Sequence, residues 1–450
     1  MIGGVLIKIT FILPAIGKKP ETAYIKTWKM EPLTIATLKA LTPSDIETEF
    51  FDDRLELINY DTQTDLVVIS VETYTASRAY QIANKFRQRG ITVVMGGYHP
   101  TLLPDEAESY ADCIVIGNAE EVWDELLTDV KAGNFKKRYK GCSRFNNLLP
   151  DRSIYKDKKY LPISLVETGR GCPFGCGFCA ISSYYKSTYY PREISNIMAD
   201  IEQSQNKYVF FVDDNVVANA EYSIKLFNEI KNLNIRWTSQ GSLTLAKNRE
   251  LLRTMKKSGC DVILIGFESL EESNLEQMKK EWNYKLGERD ELVKIIHDEG
   301  ISIYATFVFG FDYDTPQSFE KALEFSLKHD FYFTAFNHLL PFPGTQLYDR
   351  LKAENRLIKE KWWIEPNYKY GDIPYLPKTM SPEELSERCA GIRRDFFRYS
   401  SIFKRGIKLL QRNANPLLSY IFFSQNFNLK REVDEKLNLP VGSGLDELPK

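Results

Sequence analysis

Residues 169–179 read GRGCPFGCGFC and bring Cys172, Cys176 and Cys179 together in the spacing C-x3-C-x2-C. Three of the seven cysteines in the 450-residue chain therefore lie within eight residues. Thiolates at such spacing bind iron–sulfur clusters or zinc, and both usually take four protein ligands. The neighbouring sequence offers no fourth ligand, so a four-iron cluster held here would keep one iron open to an outside ligand. A zinc knuckle and simply buried thiols are the alternatives.

The motif follows the first strand of a long strand–helix series. The strands of this series are predicted at 162–167, 208–212, 236–240, 262–267, 302–310 and 333–340. Helical periodicity separates them at 193–203, 222–232, 248–258, 288–299 and 316–329. Six such units in a row predict a partial (β/α)6 barrel over residues 161–360, with its active site at the carboxyl ends of the strands.

A separate α/β domain is predicted before this barrel, over residues 1–135. Its predicted strands are 5–13, 47–51, 66–71, 92–95 and 113–116, and its predicted helices are 32–41, 76–89, 104–109 and 122–131. This alternation is typical of a doubly wound parallel sheet, which binds ligands at the carboxyl ends of its strands. The residues predicted to line that edge are Pro14, Ser70, Glu72, Thr73, Gly96, Gly97, Gly117 and Glu120.

Two further segments complete the predicted organisation. Residues 136–160 are polar and rich in lysine, which favours a linker. Residues 361–450 are predicted to be mostly helical, with one helix beginning after Ser381 as its N-terminal cap. Residues 417–427 are expected to pack as a helix on the barrel, and peripheral contact with a membrane is the alternative for their apolar side chains.

Composition and charge bear on whether the protein binds nucleic acid and whether it is secreted. The formal net charge is −2, from 61 acidic and 59 basic residues, which argues against a nucleic-acid partner bound by a basic surface. Residues 1–16 are apolar, but they lack a basic start and Lys8 interrupts them, so we expect a buried strand and not a secretion signal. An odd number of cysteines without such a signal predicts a reduced, cytoplasmic protein.

The cysteine motif after the first strand of a β/α barrel resembles the radical S-adenosylmethionine (SAM) superfamily. The resemblance implies that Cys172, Cys176 and Cys179 bind a [4Fe–4S] cluster, at which SAM is cleaved to a 5′-deoxyadenosyl radical. It also implies SAM contacts from Phe178, Asp213, Asp214, Asn215, Ser239, Gln240, Glu268 and Gly310. The Asp-Asp-Asn triplet departs from the Gly-Gly-Glu motif of the superfamily, and a turn or a helix cap is its alternative interpretation.

The N-terminal domain resembles the cobalamin-binding domain of one radical SAM branch. The similar runs are GGYHPTLLPDEA at 96–107, GNAEEVW at 117–123 and PFPGTQLYDRL at 341–351. They are most similar to the hopanoid C-2 methylase and bacteriochlorophyll side-chain methylase branch. The resemblance implies cobalamin at the strand ends of this domain, and a domain that has lost the cofactor is the alternative.

Two departures bear on how cobalamin would bind. The D-x-H-x-x-G motif that supplies a cobalt-binding histidine in related domains is absent, so any bound cobalamin would lack a histidine ligand. His99 lies elsewhere and is expected to be structural, and Asn118 stands where relatives often carry glutamate.

The resemblance implies an enzyme that methylates an unactivated carbon of an apolar small molecule, such as a lipid, an isoprenoid or a tetrapyrrole. An electron donor such as flavodoxin or ferredoxin would reduce the cluster. One alternative keeps the radical chemistry without methyl transfer, as in cyclisation, C–C coupling or oxidation. A more distant alternative is a regulator that binds cobalamin or metal without catalysis.

Overall fold

The structure is a computed structural model that describes residues 8–19, 24, 29–142, 148–204, 206–412 and 415–446. Two compact units divide the chain. The first unit falls within Met1–Pro162, Lys361–Tyr370 and Leu439–Lys450, and the second within Ile163–Glu360 and Gly371–Asn438. The division at 1–135, 136–160, 161–360 and 361–450 stays a prediction.

Among the described residues of the first unit, six parallel strands form one sheet. They are β1 (Lys8–Leu13), β2 (Glu47–Asp52), β3 (Leu66–Ser70), β4 (Thr92–Gly96), β5 (Cys113–Ile116) and β6 (Arg138–Lys140). Their order is β2-β1-β3-β4-β5-β6, so the direction of winding reverses between β1 and β3. The ligand edge of such a sheet lies at this reversal. Residues 5–7 of the predicted first strand are outside the described residues.

Helices cross over between these strands, because parallel neighbours cannot be joined by a tight turn. They are Leu33–Leu41, Ala76–Gln88, Tyr98–Leu102, Pro104–Glu108 and Trp123–Lys131. The core between helices and sheet includes Phe11 and Trp123, whose rings lie 6.2 Å apart. The Trp123 indole N–H donates to Thr42 Oγ1 at 3.2 Å, so its polar edge is satisfied within the core.

In the second unit, six described strands form the partial barrel. They are β7 (Ser164–Val166), β10 (Tyr208–Phe211), β11 (Arg236–Gly241), β12 (Cys260–Glu268), β13 (Ser302–Phe309) and β14 (Phe333–His338). All pair in parallel in the order β14-β13-β12-β11-β10-β7. A two-stranded antiparallel ribbon, β8 (Gly169–Gly171) with β9 (Tyr189–Pro191), follows β7.

Helices lie between the barrel strands, and one more follows β14. They are Ala180–Tyr185, Ile194–Ser204, Ala220–Ile230, Arg249–Lys257, Glu272–Gln277, Trp282–Lys285, Arg289–Asp298, Pro316–Lys328 and Gln346–Ala353. Every predicted barrel strand is present. Most are short runs rich in buried apolar residues, whereas β11 is largely polar and buries only Trp237 and Ser239. The carboxyl ends of the six strands therefore meet at one rim, which carries the cysteine motif after β7.

The last part of the second unit is helical, with helices Pro382–Phe396, Tyr399–Arg412 and Pro416–Lys436. Ser381 caps the first of them, since its side chain accepts a hydrogen bond from the Glu384 N–H. The predicted fold class is confirmed: a doubly wound parallel sheet, a partial (β/α)6 barrel and a helical C-terminal segment. No described helix is both long enough and apolar enough to span a bilayer.

The predicted linker at 136–160 contains regular structure. Residues Arg138–Lys140 form the edge strand β6, and Arg152–Tyr155 form a 3-10 turn. Tyr139 is the buried side chain of β6, and its hydroxyl donates to Asp129 at 2.6 Å. One buried residue in a polar run leaves no apolar pattern, so the strand could not be predicted from periodicity. Residues 143–147 of this segment lie outside the described residues.

Candidate active site

The cysteine loop is held between the two strands of the ribbon that follows β7. Gly171 has a φ of +79°, and a Cβ there would lie 2.2 Å from the Thr188 carbonyl oxygen. A Cβ at Gly169 would lie 2.2 Å from the Tyr189 hydroxyl. Only glycine fits at Gly171, and a side chain at Gly169 would have to displace the Tyr189 ring, so the two glycines allow the ribbon to close directly before Cys172.

Backbone hydrogen bonds fix the middle of the loop. The Gly177 N–H donates to the Met278 carbonyl at 3.0 Å, and the Gly177 carbonyl accepts from the Leu347 N–H at 2.9 Å. The Phe174 ring stacks on Trp282, with ring centres 4.0 Å apart. The segments around Met278 and Leu347 therefore hold the loop in its conformation without a cofactor.

The three thiols are partly buried in this loop. Burial raises the pKa of Cys176 to about 12, although Lys280 acts in the opposite direction. Burial also raises the pKa of Cys172 and Cys179, against hydrogen bonds from backbone amides. The Asn215 amide donates to Cys172 Sγ at 3.8 Å. The thiols are therefore protonated at neutral pH until iron binds and displaces the protons.

The donor set fits a four-iron cluster. Among the described residues, no group of three His, Cys, Asp or Glu side chains converges as ligands of a single metal ion do. A four-iron cluster needs no such convergence, because each thiolate binds a different iron. Three cysteines on a glycine-rich loop can thus hold three irons and leave the fourth for a ligand from outside.

Asp213 and Asp214 follow β10 and fasten the segment that leads into the cysteine loop. Asp213 accepts hydrogen bonds from the Thr168 N–H at 3.0 Å and the Thr168 hydroxyl at 2.6 Å. Asp214 accepts from the Gly171 N–H at 2.9 Å. Burial raises the pKa of Asp213 to about 8 and that of Asp214 to about 6. The two carboxyls therefore have a structural task here, and their contact with SAM stays a prediction.

A buried ion pair lies at the end of β12. Glu268 Oε1 is 2.7 Å from Lys280 Nζ, and Lys280 also donates to the Gly266 carbonyl at 2.9 Å. Glu268 has a φ of +62°, which is strained for a residue with a side chain. A Cβ at Gly266 would lie 2.1 Å from Glu268 Oε1, so the glycine makes room for the carboxylate.

Lys280 was missed by sequence reasoning. Burial lowers its pKa, but Glu268 and the thiols Cys176 and Cys179 outweigh this effect, and the net pKa is raised. The ammonium is therefore a buried cation that acts on both the ion pair and the cysteine loop. It lies in an irregular segment between two short helices, and the one sequence signal was its position soon after the Gly-Phe-Glu-Ser run.

The other predicted SAM contacts also lie at the barrel rim. Ser239 is buried, and its hydroxyl donates to the Phe211 carbonyl at 2.8 Å, while Gln240 is half-buried near the end of β11. The Phe178 ring lies 5.9 Å from that of Phe311. The fold therefore brings these residues to one rim, where their contact with SAM stays a prediction.

Backbone conformation and close packing explain why residue 310 is a glycine. It has a φ of +113°, and a Cβ there would lie 2.1 Å from the Tyr375 hydroxyl, which donates to the Gly310 carbonyl at 2.9 Å. Asp314 accepts from the Gly310 N–H at 2.7 Å. The glycine therefore makes room for the Tyr375 side chain, and its contact with SAM stays a prediction.

In the first unit, the predicted cobalamin contacts lie at the carboxyl ends of β1, β3, β4 and β5. Gly97 has a φ of +108°, and a Cβ there would lie 2.7 Å from the Val71 carbonyl oxygen. A Cβ at Gly117 would lie 2.7 Å from the Gly141 carbonyl oxygen. Gly96 has an ordinary φ and a clearance of 3.6 Å. Two of these three glycines thus serve the close packing of neighbouring loops.

The remaining predicted contacts are small or polar. Pro14 follows β1, and Ser70 ends β3. Glu72 and Thr73 open the next turn, where the Glu72 N–H donates to Thr75 Oγ1 at 3.1 Å. Glu120 lies after β5. The fold brings all of them to one edge of the sheet, and whether they contact cobalamin stays a prediction.

His99 is a structural histidine, as predicted. It is fully buried, with Nε2 2.8 Å from the Tyr80 hydroxyl and 3.3 Å from Glu106 Oε1. Glu106 also accepts from the Trp363 indole N–H at 2.7 Å and pairs with Lys361 at 3.0 Å. The network ties the segment Lys361–Tyr370 into the first unit and occupies the imidazole.

Known protein families match both the barrel region and the N-terminal sheet region. The radical SAM superfamily profile matches residues 166–326, and the B12 binding domain profile matches residues 40–127. Bacteriochlorophyllide d C-12(1)-methyltransferase of Chlorobaculum tepidum is 30% identical over 389 residues, which are 83% of this chain and 84% of that protein. Hopanoid C-2 methylase of Rhodopseudomonas palustris is 24% identical over 350 residues, which are 74% of this chain and 66% of that protein.

A solved structure shares the fold. It is the radical SAM methyltransferase TsrM from Kitasatospora setae with cobalamin and a [4Fe–4S] cluster bound, which aligns with a TM-score of 0.61 at 15% identity. The alignment covers 85% of this chain and 82% of TsrM. The barrel and its cysteine loop are thus of the radical SAM class. The chain belongs to the cobalamin-dependent radical SAM methyltransferase family.

Membership of this family confirms the predicted resemblance and the predicted cofactors. The cofactors are SAM, a [4Fe–4S] cluster and cobalamin. The family range at 166–326 contains the cysteine loop and the Glu268–Lys280 pair. The B12-binding range at 40–127 contains the ends of β3, β4 and β5.

Proposed function

We propose that the protein transfers a methyl group to an unactivated carbon of an apolar small molecule, with a tetrapyrrole, an isoprenoid and a lipid as the classes to test. The observation that carries the proposal is the combination, in one chain, of a three-cysteine loop beside a buried charge pair and a sheet of B12-binding type. When bound, the cluster supplies the electron that cleaves SAM, and methylcobalamin supplies the methyl group.

The cysteine loop has the task of holding three irons in a fixed position. Its backbone is already hydrogen-bonded to Met278 and Leu347, so little ordering is needed when the cluster binds. Phe174 stacked on Trp282 covers one side of the loop with aromatic surface. Such a cover excludes water, and a carbon radical needs that exclusion to avoid side reactions.

Glu268 and Lys280 are proposed to orient the amino-acid part of SAM, which carries one amino and one carboxylate group. The ammonium of Lys280 is the natural partner of the carboxylate, and Glu268 keeps it charged and in place. Because both side chains are nearly buried, their interaction with a charged ligand is only weakly screened by water. The pair therefore discriminates SAM from uncharged adenosine compounds.

The first unit is proposed to bind cobalamin at the carboxyl edge of its sheet. A Cβ at Gly96 would make only ordinary contact with Val115, whereas the neighbouring Gly97 already packs closely against Val71. His99 is held by Tyr80 and Glu106, so the cobalt would have no ligand from this imidazole. Flavodoxin or ferredoxin is the proposed electron donor, and the cytoplasm the proposed location.

The test uses anaerobically purified protein loaded with iron, sulfide and cobalamin, and SAM labelled in its methyl group. Incubation with a reductant and each substrate class should yield 5′-deoxyadenosine, S-adenosylhomocysteine and a labelled product. Formation of 5′-deoxyadenosine with a modified but unlabelled product would favour radical chemistry without methyl transfer. A protein that binds SAM and cobalamin but never cleaves SAM would contradict an enzymatic function, and tetrahedral zinc in the loop would contradict the cluster.

A further inference from the structure

The two helices Tyr399–Arg412 and Pro416–Lys436 expose an unusual amount of apolar surface. Six of the twelve large apolar side chains that are exposed among the described residues lie on them. These residues, called the hairpin patch below, are Tyr399, Phe403, Ile407, Leu410, Leu417 and Tyr420. Their exposed fractions run from 49% to 71%, far above those of ordinary core positions. Clustered exposure of this kind marks an interaction surface.

The opposite faces of the same helices are firmly packed. Ile402 and Leu409 of the first helix and Leu418 and Phe422 of the second share a buried cluster with the starts of β12 and β14. Arg405 is buried and donates to the Phe331 and Tyr332 carbonyls at 3.0 and 3.2 Å. The helices therefore have a complete anchor on one side, and the exposed apolar side is not needed to hold them.

Ring contacts join the two helices into one surface. The Phe403 ring lies 6.0 Å from that of Phe423 and 6.1 Å from that of Phe427. The Tyr399 ring lies 5.9 Å from that of Phe427. Gly406 permits the close approach, since a Cβ there would lie 2.3 Å from the Phe423 ring. Tyr399 and Phe403 of the patch are thus held against the second helix by ring contacts.

Charge is strongly segregated in this part of the chain. Residues 396–431 contain no acidic residue and seven basic ones: Arg398, Lys404, Arg405, Lys408, Arg412, Lys430 and Arg431. The whole chain has a formal charge of −2. Lys408 and Arg412 are paired with Asp330 at 2.9 Å each. Lys404 is exposed next to Phe403, and Lys430 Nζ lies 5.0 Å from the centre of the Tyr399 ring, so basic groups border the patch.

We propose that the hairpin patch docks the protein on the surface of a membrane that contains anionic lipids. Apolar and aromatic side chains would enter the boundary between headgroups and acyl chains, while Lys404 and Lys430 extend to the lipid phosphates. A symmetric pairing of two copies through the patch is disfavoured, because it would bring together the cations that border it, Lys404 and Lys430 of each copy. The docking is independent of methyl transfer and would give access to substrates dissolved in the bilayer.

The test measures binding of the full chain to vesicles of phosphatidylcholine with and without phosphatidylglycerol, by co-sedimentation at low and high salt. Wild-type protein should bind the phosphatidylglycerol vesicles at least tenfold more strongly, and salt should reduce this binding. The variant Phe403→Ser/Ile407→Ser/Tyr420→Ser should lose at least tenfold in partitioning. Lys404→Gln/Lys430→Gln should lose binding only to the anionic vesicles.

The matched control is Ile358→Ser/Leu376→Ser, which removes two equally exposed apolar side chains of the same unit outside the patch. It should bind vesicles as the wild type does, and all variants should keep the urea midpoint of the wild type. Absence of wild-type binding to anionic vesicles would overturn the proposal. So would a patch variant that changes a dimer to a monomer while vesicle binding stays the same. Since no SAM or substrate is present, either result leaves the proposed methyl transfer untouched.

Discussion

The buried carboxyl of Asp53 in the first unit has a charged partner, whereas those of Asp213 and Asp214 at the barrel rim accept hydrogen bonds from neutral groups. Arg78 forms a two-pronged ion pair with Asp53, with both N···O distances at 3.0 Å. At the barrel rim, Asp213 and Asp214 accept hydrogen bonds from neutral groups, and their pKa values are raised to about 8 and about 6. Raised carboxyl pKa values are typical of functional sites and also occur in structural networks. The contact of Asp213 and Asp214 with SAM stays a prediction.

The strand ends of the two units also differ in what they offer a ligand. The barrel offers three thiols and the Glu268–Lys280 pair, which recognise charge and metal. At the strand ends of the first unit lie glycines and small or polar side chains, and two of the glycines, Gly97 and Gly117, already pack against neighbouring loops. A site of the first kind depends on a few individual side chains, and a site of the second kind depends on backbone clearance. Substitutions should therefore have large, localised effects at the barrel rim and smaller effects in the first unit.

The largest effect is expected from the cysteines. Cys172→Ala/Cys176→Ala/Cys179→Ala should abolish iron binding and reduce 5′-deoxyadenosine formation by at least roughly a thousandfold, because no protein ligand remains for the cluster. Cobalamin binding by the first unit should be unchanged. Iron content, cobalamin absorbance and product assay measure the three effects. The control Cys142→Ala should behave as the wild type, and equal iron loss in that control would argue against a cluster at residues 172–179.

The next largest effect is expected from Lys280. Lys280→Met should weaken SAM binding by roughly 100-fold, the loss typical of removing one partner of a buried charge contact, while iron content stays high. Equilibrium dialysis with labelled SAM measures it. The substitution also leaves Glu268 without its cation, which should lower the free energy of unfolding by about 3 kcal/mol.

A second variant separates the two effects of that change. Glu268→Gln/Lys280→Met removes the unpaired charge and should regain most of the lost stability, yet it should not regain SAM affinity. Lys280→Arg keeps a cation and should bind SAM more tightly than the methionine variant. If the double variant bound SAM as the wild type does, Lys280 would be a purely structural residue.

Most of the fold could be predicted from the sequence because most strands of both sheets are short runs rich in apolar residues, although β2 and β11 are partly polar. In β3, for example, Leu66, Val67, Val68 and Ile69 are all buried, so the run has no competing helical interpretation. The edge strand β6 was not predicted, since Tyr139 is its one buried side chain. Hydrophobic periodicity predicts an element only when several of its residues are buried at regular spacing. It cannot predict an element that buries a single residue.

From the sequence, only those parts of the site could be predicted whose residues are close to one another along the chain. The cysteine spacing is local, and it predicted the cluster directly. Lys280 is placed beside Glu268 by an irregular turn, and Tyr375 reaches Gly310 from 65 residues away. No pattern in the chain encodes either contact. The glycine at 310 was therefore interpreted through a ligand, although packing against a tyrosine already explains it.

In the first unit, Glu106 should govern stability at acidic pH. Hydrogen bonds from His99, Trp363 and Lys361 outweigh burial and hold the pKa of Glu106 at about 2, below its ordinary value of 4.5. Because the folded pKa is lowered, the stabilisation is complete above about pH 4.5 and is lost as the pH falls toward 2. Glu106→Gln should cost on the order of 2 kcal/mol at pH 7 and flatten this acid limb.

Urea unfolding from pH 7 to pH 3, followed by tryptophan fluorescence, measures the effect, because Trp363 donates directly to Glu106. The control Glu121→Gln changes an exposed carboxylate of the same unit and should leave both stability and its pH dependence unchanged. An equal acid loss in wild type and Glu106→Gln would show that the network adds nothing to folding.

The smallest effects are expected at two adjacent glycines, Gly96 and Gly97. Their alanine variants distinguish a glycine needed for packing from one needed for contact with cobalamin. Gly97→Ala places a Cβ 2.7 Å from the Val71 carbonyl at a positive φ, so it should lower the free energy of unfolding by about 1–3 kcal/mol. Gly96→Ala has an ordinary φ and 3.6 Å of clearance, so its stability should be unchanged. If the backbone at Gly96 touches cobalamin as predicted, Gly96→Ala should still weaken cobalamin binding roughly tenfold, in a titration followed by cobalamin absorbance. If Gly96→Ala kept both the stability and the cobalamin affinity of the wild type, the predicted contact at Gly96 would be wrong. The contact would then have to come from another strand end, and Pro14 after β1 would be tested next.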